Sequence, residues 1–176
     1  DKSPGPDGFN GLFMKKCWHI IKQYFYKFIN DFYNEVVSLA PINNAYITLI
    51  PKKDNPGSPD DYRPISLVSM PIKILTKLLA NRAQQIIISR VSKNQYGFTK
   101  TRNIQDCLAW SFEYLHMCHK SKKEIIIFKI DFVKAFDKFN YMAILFRMNH
   151  LGFSSKWIRW VTSILSTATT FVLLNG

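Results

Sequence analysis

Residues 125–140 read IIIFKIDFVKAFDKFN. An apolar run, Ile125 to Phe128, leads through Lys129 and Ile130 into an acid, Asp131. A second acid, Asp137, follows the aromatic Phe136. A short apolar run after a Lys-rich turn predicts a buried strand over 124–131. A carboxylate at the end of such a strand is costly unless something compensates it. A divalent metal ion is the usual compensation, and a metal there implies phosphate chemistry.

At the carboxyl end of a central strand, Asp131 would stand where active sites of open α/β sheets gather. One carboxylate rarely holds magnesium alone; two-metal polymerases draw acids from separate strands. Two readings of Asp131 stand side by side: one side of a metal site, or a turn aspartate starting residues 133–136. Phe136 likewise reads as a flat pocket wall or as an ordinary core aromatic. Asp137 reads as bonding backbone or a basic neighbour, because six residues along a turn it faces elsewhere.

Outward from this stretch, helical and extended patterns are separated along the chain. Phe13, Ile21, Phe25, Phe28, Phe32 and Val36 recur at helical spacing, which predicts a long amphipathic helix ending before Pro41. Its aromatics read as core packing. Residues 45–50 and 63–68 read as two strands of an extended hairpin, joined by a Pro-rich loop over 51–62. Ser69 before Pro71 reads as the N-cap of the next helix, which carries Ile74, Leu75, Leu78, Leu79 and Ile86. Further helices are predicted around Ile104–Leu115, at 141–150 closed by Gly152, and after Ser154, with a last strand at 169–174. The sum is a mixed α/β chain without a Gly-rich phosphate loop of Rossmann or P-loop type.

The 176 residues are 47% apolar, enough for one domain with a real core and too apolar for a disordered chain. No apolar run approaches the ~20 residues that cross a membrane. Asp1 and Gly176 are expected to be cut ends of a longer polypeptide. The net charge is +12, and residues 52–102 hold ten Lys or Arg against three Asp. A basic block of this kind suits nucleic acid; a basic surface without a partner is the plainer alternative. Lys52, Lys53 and Arg63 flank the hairpin loop, which could fold over a triphosphate with Lys as point charge and Arg as a fork. The pair Asp60-Asp61 lies in the Pro-rich loop and does not read as a metal pair. Cys17, Cys107 and Cys118 make an odd count without paired spacing, which argues for a reducing compartment, nucleus or cytoplasm. The stretch His116-Met117-Cys118-His119 lacks a second ligand pair at zinc spacing and reads as a helix end.

Four motifs then fall in one order: KSPGPDGF at 2–9, ITLIPKKDNPGSPDDYRPISL at 47–67, NQYGFTKTRNIQD at 94–106 and KIDFVKAFDKFN at 129–140. In that order the chain resembles reverse transcriptases of non-LTR, LINE-type retrotransposons over nearly its whole length. GFSSKWIRWVTSIL at 152–165 resembles the plant elements of that kind. The resemblance implies a right-hand polymerase, with fingers over about 1–124 and the first part of the palm over about 125–176. It implies an RNA-directed DNA polymerase that uses two Mg2+ ions, an RNA template, a DNA primer and dNTPs, with the primer 3′-OH attacking the α-phosphate and pyrophosphate leaving. It implies that Asp131 is a catalytic magnesium ligand, with the backbone carbonyl of Phe132 as another. Phe136 matches the gate against a ribose 2′-OH. Lys53, with Lys52 as the alternative, and Arg63 match residues holding the triphosphate. Gln95, Gly97, Phe98, Lys100 and Arg102 fall in a template- and primer-contacting region.

The chain also departs from the family. Its Gln-Gly-Asp-Pro and aromatic-Ala-Asp-Asp segments do not occur in the 176 residues. The remaining metal-binding acids, the rest of the palm and the thumb are therefore expected from the remainder of the polymerase polypeptide, and this piece alone is expected to be inactive. Thr101 stands where a glycine is common, and Lys138-Phe139 replaces the usual Arg and smaller β-branched residue. The alternative reading is a nucleic-acid-binding remnant of a decayed element, without chemistry.

Overall fold

A computed structural model describes residues 3–132 and 138–172. Among these, five helices, three strands and one 3-10 turn follow in chain order: α1 Gly11–Tyr33, β1 Asn44–Pro51, the turn Pro59–Asp61, β2 Tyr62–Val68, α2 Met70–Arg90, α3 Ile104–Lys120, α4 Tyr141–His150, α5 Ser155–Ser166 and β3 Thr169–Val172. The chain divides into two compact units, residues 1–79 with 145–176, and residues 80–144. The boundary expected near residue 124 falls within the second of these units.

In the first unit the sheet order is β2-β1-β3. β1 and β2 form the antiparallel hairpin, with Thr48 opposite Ile65 and Ile50 opposite Arg63. β3 adds to the other edge of β1 in parallel, Ala45 beside Thr170, so the sheet is mixed. Pro64 is tolerated in β2 because that strand is an edge and one row of its backbone groups faces outward. The core gathers Phe32 of α1, Leu39, Ile72, Leu75 and Leu79 of α2, and Trp160 of α5. Burying each such side chain contributes about 1.5–3 kcal/mol. Of the predicted stripe, Phe32 is buried and Phe28 packs against the core, whereas Val36 lies past the end of α1 and is 77% exposed.

Several ends are tied by side chains. Asn10 accepts from Phe13 N at 2.9 Å and caps α1. Ser154 accepts from Trp157 N at the start of α5, as expected. Buried Asn43 donates to Ile164 O at 2.7 Å and to Thr167 Oγ1 at 2.9 Å, which satisfies the end of α5 and joins it to the start of the sheet. Gly152, at φ +79°, closes α4 in the left-handed conformation that glycine adopts without cost.

Two expectations are corrected. Ser69 does not cap α2 with its side chain: the Ser69 hydroxyl donates to Asn44 O, and the part-buried Met70 N–H donates to Asp7 Oδ2 at 2.6 Å instead. The cap comes from 63 residues away, so no local pattern could announce it. Residues 124–131 do not form a strand. Their side chains point to solvent, with Ile126 82% and Phe128 81% exposed. A strand exists only where a neighbour takes up its backbone hydrogen bonds, and among the described residues none pairs with this one.

Candidate functional site

The loop end of the β1–β2 hairpin brings three of the predicted site residues together. β1 ends at Pro51 opposite Tyr62, and the ladder continues one step as Lys52 N–H donates to Asp61 O at 2.7 Å. Lys52 Nζ donates to the Asp60 carbonyl at 2.6 Å. Lys53 Nζ pairs with Asp61 Oδ1 at 2.9 Å. Arg63 follows at the start of β2, exposed, and its guanidinium has no hydrogen bond or ion pair among the described residues. The three cations share one loop, and of these Arg63 has its full fork of donors free for a bidentate partner.

Asp61 is the residue that the sequence reading underrated. One of its oxygens holds Lys53, and the other accepts the backbone N–H groups of Gly57 and Ser58 at 2.9 and 3.0 Å. Lys53 first, and then these amides, hold its carboxyl below the ordinary value of 3.8. The signal was present in the sequence: Ser58 and Asp61 stand at the spacing of a capping box around Pro59.

The SPGPDG stretch at 3–8 is a clamp. Gly8 N–H donates to Gly5 O at 3.0 Å and makes the turn that presents Asp7 to α2. A Cβ on Gly5 would collide with the Val68 carbonyl and the Ser69 backbone, so only glycine lets this loop lie against the end of β2.

In the second unit, the irregular basic segment 95–102 is organised by Arg102. Its guanidinium donates to the carbonyls of Gln95 at 2.7 Å, Ser92, and Ile88 in the last turn of α2. An arginine there satisfies carbonyls that the helix end leaves open. Most of its hydrogen-bonding capacity is used inside the chain, which makes it a positioning residue for the loop. Lys100 Nζ donates to Asn81 Oδ1 at 3.0 Å. Gln95 Nε2 reaches back to Gly97 O at 3.3 Å. Phe98 is held at φ +60° with its ring 87% exposed, a conformation that costs a phenylalanine roughly 1–3 kcal/mol. A Cβ at Gly97 would meet nothing closer than 3.9 Å, so internal packing does not demand the glycine.

Asp131 and Phe132 also belong to the second unit, in the extended segment, both exposed. Asp131 makes no hydrogen bond or ion pair among the described residues. Phe136 and Asp137 lie outside the described residues. No group of three His, Cys, Asp or Glu side chains comes together among those described. One carboxylate and the Phe132 carbonyl are fewer oxygens than magnesium's octahedral shell requires, so these donors alone do not make a magnesium site. A cavity of about 220 Å³ in the first unit is lined by Phe32, Glu35, Val37, Arg159, Trp160 and Ser163, none of them a predicted site residue.

The first unit carries a basic hairpin end on a mixed sheet, in a chain of net charge +12, which suits an anionic partner. Residues 50–175 match the family described as reverse transcriptase (RNA-dependent DNA polymerase), and the chain belongs to it. The relatives narrow this to the LINE-type branch. The chain is 22% identical over 175 residues to the uncharacterized 149 kDa protein of transposon TX1 from Xenopus laevis, covering 99% of this chain and 13% of that protein. It is 29% identical over 154 residues to the retrovirus-related Pol polyprotein of type-1 retrotransposable element R1 from Bradysia coprophila, covering 84% and 15%. It is 25% identical over 125 residues to the Pol polyprotein of element R2 from Popillia japonica, covering 71% and 17%. The chain thus spans less than a fifth of the length of these relatives.

Proposed function

We propose that this segment serves in an RNA-directed DNA polymerase of a LINE-type retrotransposon, as the part that grips the incoming dNTP and contributes one metal-binding acid. The observation that carries the reading is the match over residues 50–175, joined to the convergence of Lys52, Lys53 and Arg63 on one hairpin end. In this reading the free Arg63 fork takes the triphosphate, and Lys53 exchanges its Asp61 partner for a phosphate oxygen. Asp131 stands exposed, ready for acids supplied by other parts of the polypeptide. Reverse transcriptases generally use Mg2+, which would supply charge stabilisation at the attacking and leaving oxygens. Phe136 is proposed as the sugar gate. Gln95, Gly97 and Phe98 are proposed to meet template and primer, with the bare backbone at Gly97 permitting close approach. The three cysteines, all free thiols, agree with a reducing compartment.

Primer extension on an RNA template, measured in the full polypeptide that carries the segment, tests this. Asp131→Ala is expected to reduce extension to background. Arg63→Ala is expected to raise the dNTP KM by about 10- to 100-fold, the value of a charge-assisted hydrogen bond. Extension that survives Asp131→Ala would sink the reading.

A further inference from the structure

The solvent side of α1 is a one-signed surface. Lys15, His19, Lys22 and Tyr26 follow one another at steps of four, three and four residues, which places them in one row along the helix. Lys16 and Lys27 lie on the adjoining row, and all six side chains are exposed. Phe28 and Phe32, turned away from this row, pack into the core. The only acid of the helix, Asp31, lies in its last turn, and no carboxylate pairs with any of these lysines among the described residues. An ordinary solvated helix face mixes both signs and gains from pairs three and four residues apart. This face forgoes them. From Lys15 to Lys27 it extends about 18 Å along the axis, enough to meet several consecutive phosphates.

An aromatic ring sits within the row. Tyr26 is 62% exposed, and its ring packs edge-on against Trp18 at 5.9 Å, so it is held rather than free. A fixed ring among lysines is the combination that holds a nucleic-acid strand, with charge for the backbone and a flat face for a base or sugar. A lipid surface would need a broad apolar face to insert; the core takes Phe28, Ile29 and Phe32, and the exposed Leu12, Ile20 and Tyr24 of α1 are interspersed with its lysines.

We propose that this face of α1 is a second nucleic-acid contact, separate from the basic segment 52–102, taking the sugar-phosphate backbone of a strand with Tyr26 against a base or sugar. The proposal rests on the reverse transcriptase reading for its partner. The test is binding of single-stranded RNA and of an RNA–DNA duplex by the full polypeptide, from 50 to 200 mM KCl. The triple variant Lys15→Gln/Lys22→Gln/Lys27→Gln is expected to lower the slope of log K against log salt by about two to three for the strand that α1 holds, with a fall in affinity of tenfold or more. Tyr26→Ala is expected to weaken binding several-fold with the slope unchanged. Gln preserves the helix, and an unchanged melting curve checks this. Steep wild-type salt dependence with the same slope in the triple variant overturns the inference and leaves the family reading intact. A wild-type polypeptide that binds neither nucleic acid overturns both. Binding to anionic vesicles that the triple substitution abolishes, with RNA binding untouched, also overturns it.

Discussion

β1 and residues 124–131 are alike as sequences and opposite as structures. NAYITLIP and EIIIFKID are both short, β-branched and bounded by turn chemistry. β1 becomes the centre of a sheet, with β2 on one side and β3 on the other. Residues 124–131 remain extended, unpaired and exposed. The difference lies in the neighbours. β1 is followed by a loop in which Asp61, Lys53, Gly57 and Ser58 lock a return, so its partner strand arrives by a short closure. After residue 131 no returning strand follows before α4 at Tyr141, among the described residues. Apolar content therefore states what a segment can do in a sheet; pairing decides whether it does.

The largest expected effect comes from placing a charge in each of the two segments. Ile47→Asp puts a carboxylate on a partly buried position between β2 and β3, where it faces desolvation without a partner. A loss of about 3 kcal/mol is expected in denaturant unfolding of the chain. Ile127→Asp, at a side chain 69% exposed, is expected to stay within about 0.5 kcal/mol. Equal losses at both positions would mean that 124–131 is paired in solution, and the contrast would collapse.

The same contrast shows what the sequence makes legible. The helices α1 to α5 and the hairpin follow from period, capping residues and turn chemistry, all local properties. Lys52, Lys53 and Arg63 were readable as a group because a hairpin fixes register, and register places residues on either side of one turn. The partner of Met70 N–H was not readable, because Asp7 reaches it only through the folded unit. The role of Arg102 was not readable either: an arginine in a basic block looks the same whether its guanidinium faces phosphate or, as here, the carbonyls of Ile88, Ser92 and Gln95.

Two acids extend the comparison with an intermediate effect. Asp7 is bound to the start of α2 beside the ordered sheet, and Asp131 ends the unpaired segment. Asp7→Ala removes a helix cap and is expected to cost about 1–2 kcal/mol. Asp7→Asn keeps an acceptor and recovers most of it. Asp131→Ala is expected to leave thermal unfolding within about 0.5 kcal/mol while abolishing extension in the full polypeptide. A large stability loss at Asp131 would assign that carboxylate to the fold and return it to the turn-aspartate reading.

The smallest effect is a titration of the loop that makes β1 different. Asp61 is held below its ordinary value of 3.8 by Lys53 and by the amides of Gly57 and Ser58. The depressed value fixes the sign: the ionised carboxylate stabilises the closed loop at pH above 3.8, and that contribution disappears as pH falls through the lower folded value. Carboxyl-carbon NMR is expected to show Asp61 titrating below the ordinary value of 3.8, with the Gly57 and Ser58 amide signals moving at the same midpoint. Lys53→Gln should raise that midpoint toward the ordinary value. Because the pair stays in reach of water through Lys53, added salt should weaken the Lys53 contribution and spare that of the amides. An Asp61 midpoint at the ordinary value of 3.8 would remove the lock on the hairpin loop and leave the difference between the two segments without its cause.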